Sequence, residues 1–568
     1  MPSLRCLGPA ALAVGFLAGG AFPGAAAEER TPRVHALVGA RIVTSPGKVL
    51  DRGTIVVRDG VIVAVGKVQP PADARIWDLQ GRTVYPGLIE PYLDPASSKP
   101  RERDGQQGRR SGAARQEEAR SEAKPEAGGV RHPNPKVMAD RRIAESLSLS
   151  NDDLDALRAI GFAAAHVVPG NGVFRGQSAL IELRPGGPRD QILGQDVAQH
   201  VAFEYGDFDD PAWRSNPNYP SSLMGATALV RQTLLDASWA RQALGVYAAA
   251  PAGKERPESN LALDALASVL PPAGHEPVWF VTQDVLGTLR SAGLAREFGL
   301  RAVLVGNGEE YQMLADVRAT GLPIVLPVAF PAAPDVDDDD VAQNVEMEEL
   351  RHWKAAPANA ARLHDAGVEF AFTSHGLEKR EQFRARVTKA VSQGLPEPAA
   401  VAAVTTAPAH LLGVDDRLGT IERGKIADLT VTDGDLFGDK TRILEVWVDG
   451  DRYEVRDPKR DNFEAVAGRW KVVMARKGEP AKEWILDLKG NEWTLRGSLA
   501  DATGELPVRQ MRWQQGELLV RIGDDPKAET LLLRPAGKKE LRGSWRQADG
   551  TETPVEAERS EPSMGGDR

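Results

Sequence analysis

The chain has 568 residues, 42% hydrophobic and 26% charged, with a formal net charge of −10. That length supports a large core and two or three domains, and the acidic balance gives no reason to expect nucleic-acid binding. The single cysteine, Cys6, lies in the leader-like first residues, so a processed chain would hold no disulfide and no thiolate metal ligand.

Arg5 supplies a positive end, Leu7 to Phe22 an apolar stretch, and Ala25 to Ala27 a small-residue cleavage site. This pattern predicts a secretory signal over residues 1–27 and a periplasmic or secreted protein. Gly15, Gly19, Gly20 and Pro23 interrupt the stretch, which is short for a membrane span of about 20 residues, so no span is expected after cleavage.

From Val34 to Val84 the texture is strand and turn, with a hairpin expected around Asp59-Gly60. Pro86 and Gly87 read as a turn, and Leu88 and Ile89 as the start of a buried strand. Along it Glu90, Tyr92 and Asp94 share one face, because side chains alternate with period two. A charged, Gly-rich insert over 99–129 has too few apolar residues to order itself and reads as a mobile loop or a lid. Ser150 caps a helix with Leu154, Leu157 and Ile160 on one face and Gly161 as its stop. Phe162 to Val168 is a buried strand in which His166 reads as a core residue, and Leu223 to Leu244 reads as an amphipathic helix.

After Glu276 the chain alternates. Strands are expected at 277–282, 301–306, 323–328 and 369–374, and helices at 284–298, 309–320, 345–366 and 378–394. That rhythm implies a parallel, barrel-type sheet. The acidic run Asp337 to Asp340 reads as a solvated loop, since a calcium loop needs spaced ligands. Residues 462–561 carry short strands and Trp470, Trp484, Trp493, Trp513 and Trp545, predicting a small all-β domain whose tryptophans fill a core or line a ligand site.

Pro86-Gly-Leu-Ile-Glu-Pro-Tyr-Leu-Asp94 resembles the first barrel strand of the metal-dependent amidohydrolase superfamily, P-G-[LF]-[IV]-D-x-H-x-H. Gly419 to Leu429 resembles another mark of that family, G-x-[IL]-x-x-G-K-x-A-D-[LI]. The glycine-rich loop from Pro169 to Ile181 is similar to one in its imidazolonepropionase-like members, and dihydroorotase-like proteins are close in pattern. The resemblance implies an α/β fold: a (β/α)8 barrel of TIM type over 85–414, bracketed by a composite β-sandwich from 28–84 and 415–456. It also implies hydrolysis of non-peptide C–N bonds, in cyclic amides, amidines or dipeptide-like molecules, with zinc or another divalent metal.

At the family's two strand-one histidine places stand Tyr92 and Asp94. Val281 stands at the strand-five histidine, the next strand ends Val305-Gly306-Asn307, and the final Ser-Asp reads Ser374-His375. The resemblance thus leaves Asp94 and His375 as candidate catalytic residues and Tyr92 and Glu90 as candidate substrate-binding residues, with no metal ligand or cofactor assigned. Three readings stay open: a mononuclear site of Asp94, His375 and Glu90, a metal-free carboxylate–imidazole base, or relics on a scaffold that no longer hydrolyses. His35, His200, His352, His364 and His410 are expected in edge, loop or helix contexts away from strand ends. His132 sits in a turn near the mouth, and His275 before a strand at the bottom face. Expected partners are a small-molecule ligand and either a second copy or an active amidohydrolase.

Overall fold

A computed structural model describes residues 33–95, 130–206, 219–272, 274–334, 345–439, 441–455, 468–474, 482–489, 496–502, 504–506, 508–514, 517–523, 529–536, 540–547 and 551–560. The expected leader, the 99–129 insert, Asp337 to Asp340 and Trp493 lie outside the described residues.

The first strands are β1 (Val34–Ser45), β2 (Lys48–Arg58), β3 (Val61–Gly66), β4 (Arg75–Asp78) and β5 (Thr83–Pro86). Asp59 (φ 49°) and Gly60 (φ 84°) make the expected two-residue turn between β2 and β3; positive φ at both central residues matches the twist of a hairpin. Pro86 is still strand, paired with Leu429, and does not open a turn. Only Gly87 separates it from the barrel. Its amide donates to the Asp428 carbonyl at 2.7 Å, and a Cβ there would lie 2.6 Å from that of Ala163, so close approach of two backbones requires the glycine.

The barrel strands follow: β6 (Leu88–Leu93), β7 (Phe162–Val167), β8 (Phe174–Gln177), β9 (Ala179–Glu182), β10 (Ile192–Gly194), β11 (Gln199–Ala202), β12 (Val278–Val281), β13 (Ala302–Val305), β14 (Ile324–Pro327) and β15 (Phe370–Thr373). β6 runs parallel to β7, and β11 to β15 are parallel in order. β15 packs back against β6, giving a TIM-barrel-like ring. One place departs from a uniformly parallel barrel. β9 is antiparallel to β7 and β8 antiparallel to β11, so the third wall of the ring runs the other way. The physical reason is the short link from Val168 to Val173, since parallel neighbours need a crossover of about a dozen residues or more.

Outside the ring, Leu154, Leu157 and Ile160 of α1 (Asn151–Ile160) join the core, with Ser150 and Asp153 capping each other reciprocally. Two longer helices are α2 (Leu223–Ala249), capped by Ser222, and α3 (Val285–Phe298), capped by Asp284. α2 is not simply amphipathic as the sequence suggested. Ala226, Leu229, Val230, Leu234 and Ala237 are buried, yet Met224, Leu235, Trp239 and Val246 are exposed on the other side.

The chain then returns to the first sheet through β16 (Leu429–Thr432), β17 (Ile443–Val448) and β18 (Asp451–Glu454). The two flanks thus build one eight-stranded sheet, ordered β18-β17-β16-β5-β1-β2-β3 with β4 beside β1. It wraps a core of Leu37, Ile42, Ile55, Val84, Leu429 and Trp447.

Last come β19 (Gly468–Met474), β20 (Lys482–Lys489), β21 (Arg496–Asp501), β22 (Gly504–Glu505), β23 (Val508–Gln514), β24 (Glu517–Ile522), β25 (Glu529–Pro535), β26 (Glu540–Arg546) and β27 (Glu552–Arg559). They form one nine-stranded antiparallel sheet whose far strands β21 and β23 meet. Alternate residues turn inward onto a core that includes Trp470, Trp484 and Trp545, and the rings of Trp484 and Trp545 lie 4.4 Å apart.

Candidate functional site at the barrel mouth

Glu90 points into the seam where β6 meets β15 and is fully buried. Its carboxylate accepts from the Thr373 hydroxyl, the Ser374 amide at 2.9 Å and the Tyr92 amide at 3.1 Å. Burial pushes its carboxyl above the usual range, and these donors pull the other way. Glu90 therefore ties the first barrel strand to the last.

Two residues on, Tyr92 lies inside the ring at 1% exposure. It meets His375 edge-on at 4.8 Å, and His200 lies 5.9 Å away on its other flank. His200 is in turn 5.5 Å from His166 and 5.8 Å from Trp279. Five rings thus run through the barrel interior from mouth to core. Burial pushes the Tyr92 phenol up to about 12, with the Asp94 charge adding to it and Arg175 opposing.

His166 is satisfied, as its core reading implied. Nδ1 lies 2.8 Å from the Pro91 carbonyl, which can only accept, so Nδ1 carries the proton and Nε2 accepts from the Ser178 hydroxyl at 2.6 Å. Its pKa is depressed to about 4 by burial. His200 corrects the sequence reading. It is no edge or loop residue but lies in β11, fully buried, with burial first and His166 and Arg175 next holding it well below the usual range. Neither of its ring nitrogens, nor Nε1 of Trp279, nor Nδ1 of His375, has a hydrogen-bond partner among the described residues.

The mouth itself is strongly cationic. Arg175 donates to the Tyr92 hydroxyl at 3.3 Å and to the Gly172 carbonyl at 3.3 Å, and its guanidinium stands 3.9 Å from Glu204. Arg380 donates to the Asp94 carbonyl and Arg141 to that of Gly170. Glu204 also takes Lys136 and the Gly172 amide. Burial works against its charge, but these donors outweigh it and hold the carboxyl below its usual range. Asp94 follows the end of β6 and lies close enough for its charge to act on His375. Burial lowers the His375 pKa, Asp94 raises it, and Arg175 and Arg380 lower it further; the net direction is down, so the imidazole is neutral at pH 7.

Sequence reasoning missed Arg175. A lone arginine inside Val173-Phe-Arg-Gly-Gln was the available signal, but only the reversed wall brings it to Tyr92. The four candidates do fall in one region, with Glu90 and Tyr92 inside and Asp94 and His375 nearer the mouth. At the end of β13 the place beside Asn307 is taken by Glu310, which accepts from the Asn307 and Gly308 amides and from Asn359. At the end of β12 stands the apolar Val281.

A hydrolytic zinc ion needs about three protein ligands. Among the described residues no three His, Cys, Asp or Glu side chains converge on such a point. Glu90 is held by the chain's own donors, and Tyr92, whose phenol stays protonated, fills a strand-one place. Among the described residues, the donors gathered at this mouth do not fit a metal pair.

A ring of this kind, with a flanking sheet built from both ends of the barrel, defines a TIM-barrel-like protein. A sequence profile of the amidohydrolase family matches residues 312–454. The amidohydrolase tasK of Hapsidospora irregularis is 37% identical over 95 residues, 16% of this chain and 10% of that protein. The chain thus spans about a tenth of the length of the curated relative it matches. The crystal structure of an amidohydrolase from Thermotoga maritima MSB8 superposes with a TM-score of 0.58 at 21% identity, covering 74% of this chain and 100% of that one. Residues 312–454 thus resemble the amidohydrolase family, and the fold is shared with an amidohydrolase structure over 74% of the chain.

Proposed function

We propose that this protein hydrolyses a non-peptide C–N bond in a small amide-, amidine- or dipeptide-like molecule, using side chains of its own in place of a metal pair. The observation that carries the reading is His375: half-buried just past the end of the closing strand, its pKa lowered, beside the Asp94 charge, with Nδ1 shielded and unpartnered among the described residues. In an amide, neutral His375 takes a proton from water as the oxygen attacks the carbonyl carbon. Arg175 and the Tyr92 hydroxyl face the developing oxyanion, and Asp94 stabilises the imidazolium. The imidazolium then returns its proton to the leaving nitrogen as the C–N bond breaks, giving a carboxylic acid and an amine. Export by the leader over residues 1–27, to the periplasm or medium, belongs to the same proposal.

The test joins elemental analysis of the purified full chain to turnover of dihydropyrimidine, hydantoin and dipeptide substrates with chelator present. Turnover should persist with metal well below one per chain, and fall about 10²–10⁴-fold in both Asp94→Ala and His375→Ala. Stoichiometric metal with chelator-sensitive turnover would restore the family's usual chemistry and sink the metal-free mechanism. A second reading, a binding or partner subunit without catalysis, is favoured by the Tyr92 ring buried at a strand-one place. No metal, no turnover and stable association with an active amidohydrolase would establish it.

A further inference from the structure

The outer face of α2 carries an apolar seam left exposed by the described residues. Met224 is 82% exposed, Leu235 50%, Trp239 68% and Val246 60%. Met224, Leu235 and Val246 are spaced eleven apart, as are Ala228 and Trp239; eleven residues are close to three turns, so each set lies in line along the helix. The charged groups do not break the seam. Arg231 is held by a bidentate pair with Glu297 of α3 at 2.7 and 2.8 Å, Asp236 accepts from Gln232, and Arg241 donates to the Leu270 and Pro271 carbonyls. The side chains leave roughly 500 Å² of apolar surface exposed, the scale of an interaction patch on a monomer. A standard interface takes about 800 Å² from each partner, so this seam with its polar margins is enough to hold one.

We propose that the occupant is a second copy of this chain, its α2 laid antiparallel on the first about a two-fold axis at Leu235. The exposed apolar residues Met224 and Val246 lie eleven positions to either side of that residue. Met224 then faces Val246 of the second copy, Ala228 faces Gln242, Leu235 faces itself, and Arg231 lies against Trp239, a cation–aromatic contact. No like charges oppose each other along the seam, and its low charge suits the centre of an interface rather than an exposed helix face.

The experiment is light scattering on the full chain at micromolar concentration, with Leu235→Glu, Leu235→Lys and Trp239→Glu, each checked for unchanged helix content and melting. The native chain should show a two-chain mass and each variant a one-chain mass. Because Leu235 meets itself, an equimolar mixture of Leu235→Glu and Leu235→Lys should regain the two-chain mass, which general stickiness would not produce. A native chain that is monomeric overturns the proposal, as do variants that stay paired and a mixture that stays single. A monomer that floats with phosphatidylcholine–phosphatidylglycerol vesicles overturns it in favour of a membrane surface.

Discussion

The chain holds two rings of strands that solve burial in opposite ways. The C-terminal sheet closes on an apolar interior in which Trp470, Val472, Leu486, Leu518 and Leu533 are at 0% exposure. The first barrel buries just as completely, but its interior holds Glu90, His166, His200 and Thr373 as well as Ile89 and Val325. An apolar interior is stabilised by area and packing. A polar one must find a partner for each group or leave it at a cost of about 1–3 kcal/mol. Among the described residues, nitrogens without a partner gather along one run of rings in the first barrel, and the C-terminal sheet has no such run.

Four substitutions sharpen or break that contrast. The largest effect is expected from Trp470→Ala, which should lower the stability of the C-terminal unit by about 3–5 kcal/mol through the cavity it leaves. Calorimetry should show that transition moving while the barrel's stays; a shared shift would mean that the two rings unfold as one. Glu90→Leu strands the Ser374 and Tyr92 amides and the Thr373 hydroxyl, so chemical denaturation should show a loss of about 3 kcal/mol in the first barrel.

A third test concerns the junction between the barrel and its flanking sheet. Burial raises the Glu182 carboxyl to about 8, with the neighbouring Asp428 adding to it, and burial raises Asp428 to about 7. The folded chain therefore keeps protons that the unfolded chain gives up near pH 4. The stability is present below that pH and declines as pH rises through 7 to 8. Asp428→Asn should flatten part of this decline and be the more stable form at pH 8 by roughly 1–2 kcal/mol. An unchanged slope in pH-dependent melting would remove Asp428 from the account. The smallest effect is expected from His200→Leu, within about 1 kcal/mol of the native chain, because it removes nitrogens that no described residue satisfies. A large loss would show that His200 is held by hydrogen bonds after all.

What the sequence disclosed follows the same division. Asp59-Gly60, the Ser150 cap and the Asp284 helix start were legible because each depends on a few neighbouring residues. Alternation put Tyr92 and Glu90 on one face, but β6 is irregular against β7, and Ile89 packs into the same interior cluster as Tyr92. His200 could not be placed, since Val197-Ala-Gln-His-Val-Ala-Phe203 shows a strand-like run but not which wall it pairs with. The reversed wall, and with it the approach of Arg175 to Tyr92, depends on a link too short to cross over, a constraint that appears only once its two neighbours are known. The mouth was thus found by pattern, and its cationic lining was not.

The Glu90 carboxylate carries a further consequence for the order of assembly. It joins residues 283 positions apart in sequence, whereas β7, β9, β8 and β11 pair within the stretch from Phe162 to Ala202. Loop-closure entropy and contact order favour the local meander early and the Glu90 seam late. In pulse-labelled hydrogen exchange during refolding, the amides of β9 and β11 should gain protection before that of Ser374. The residue that sits deepest in the mouth is then also the latch, and the site takes shape in the same step that closes the ring.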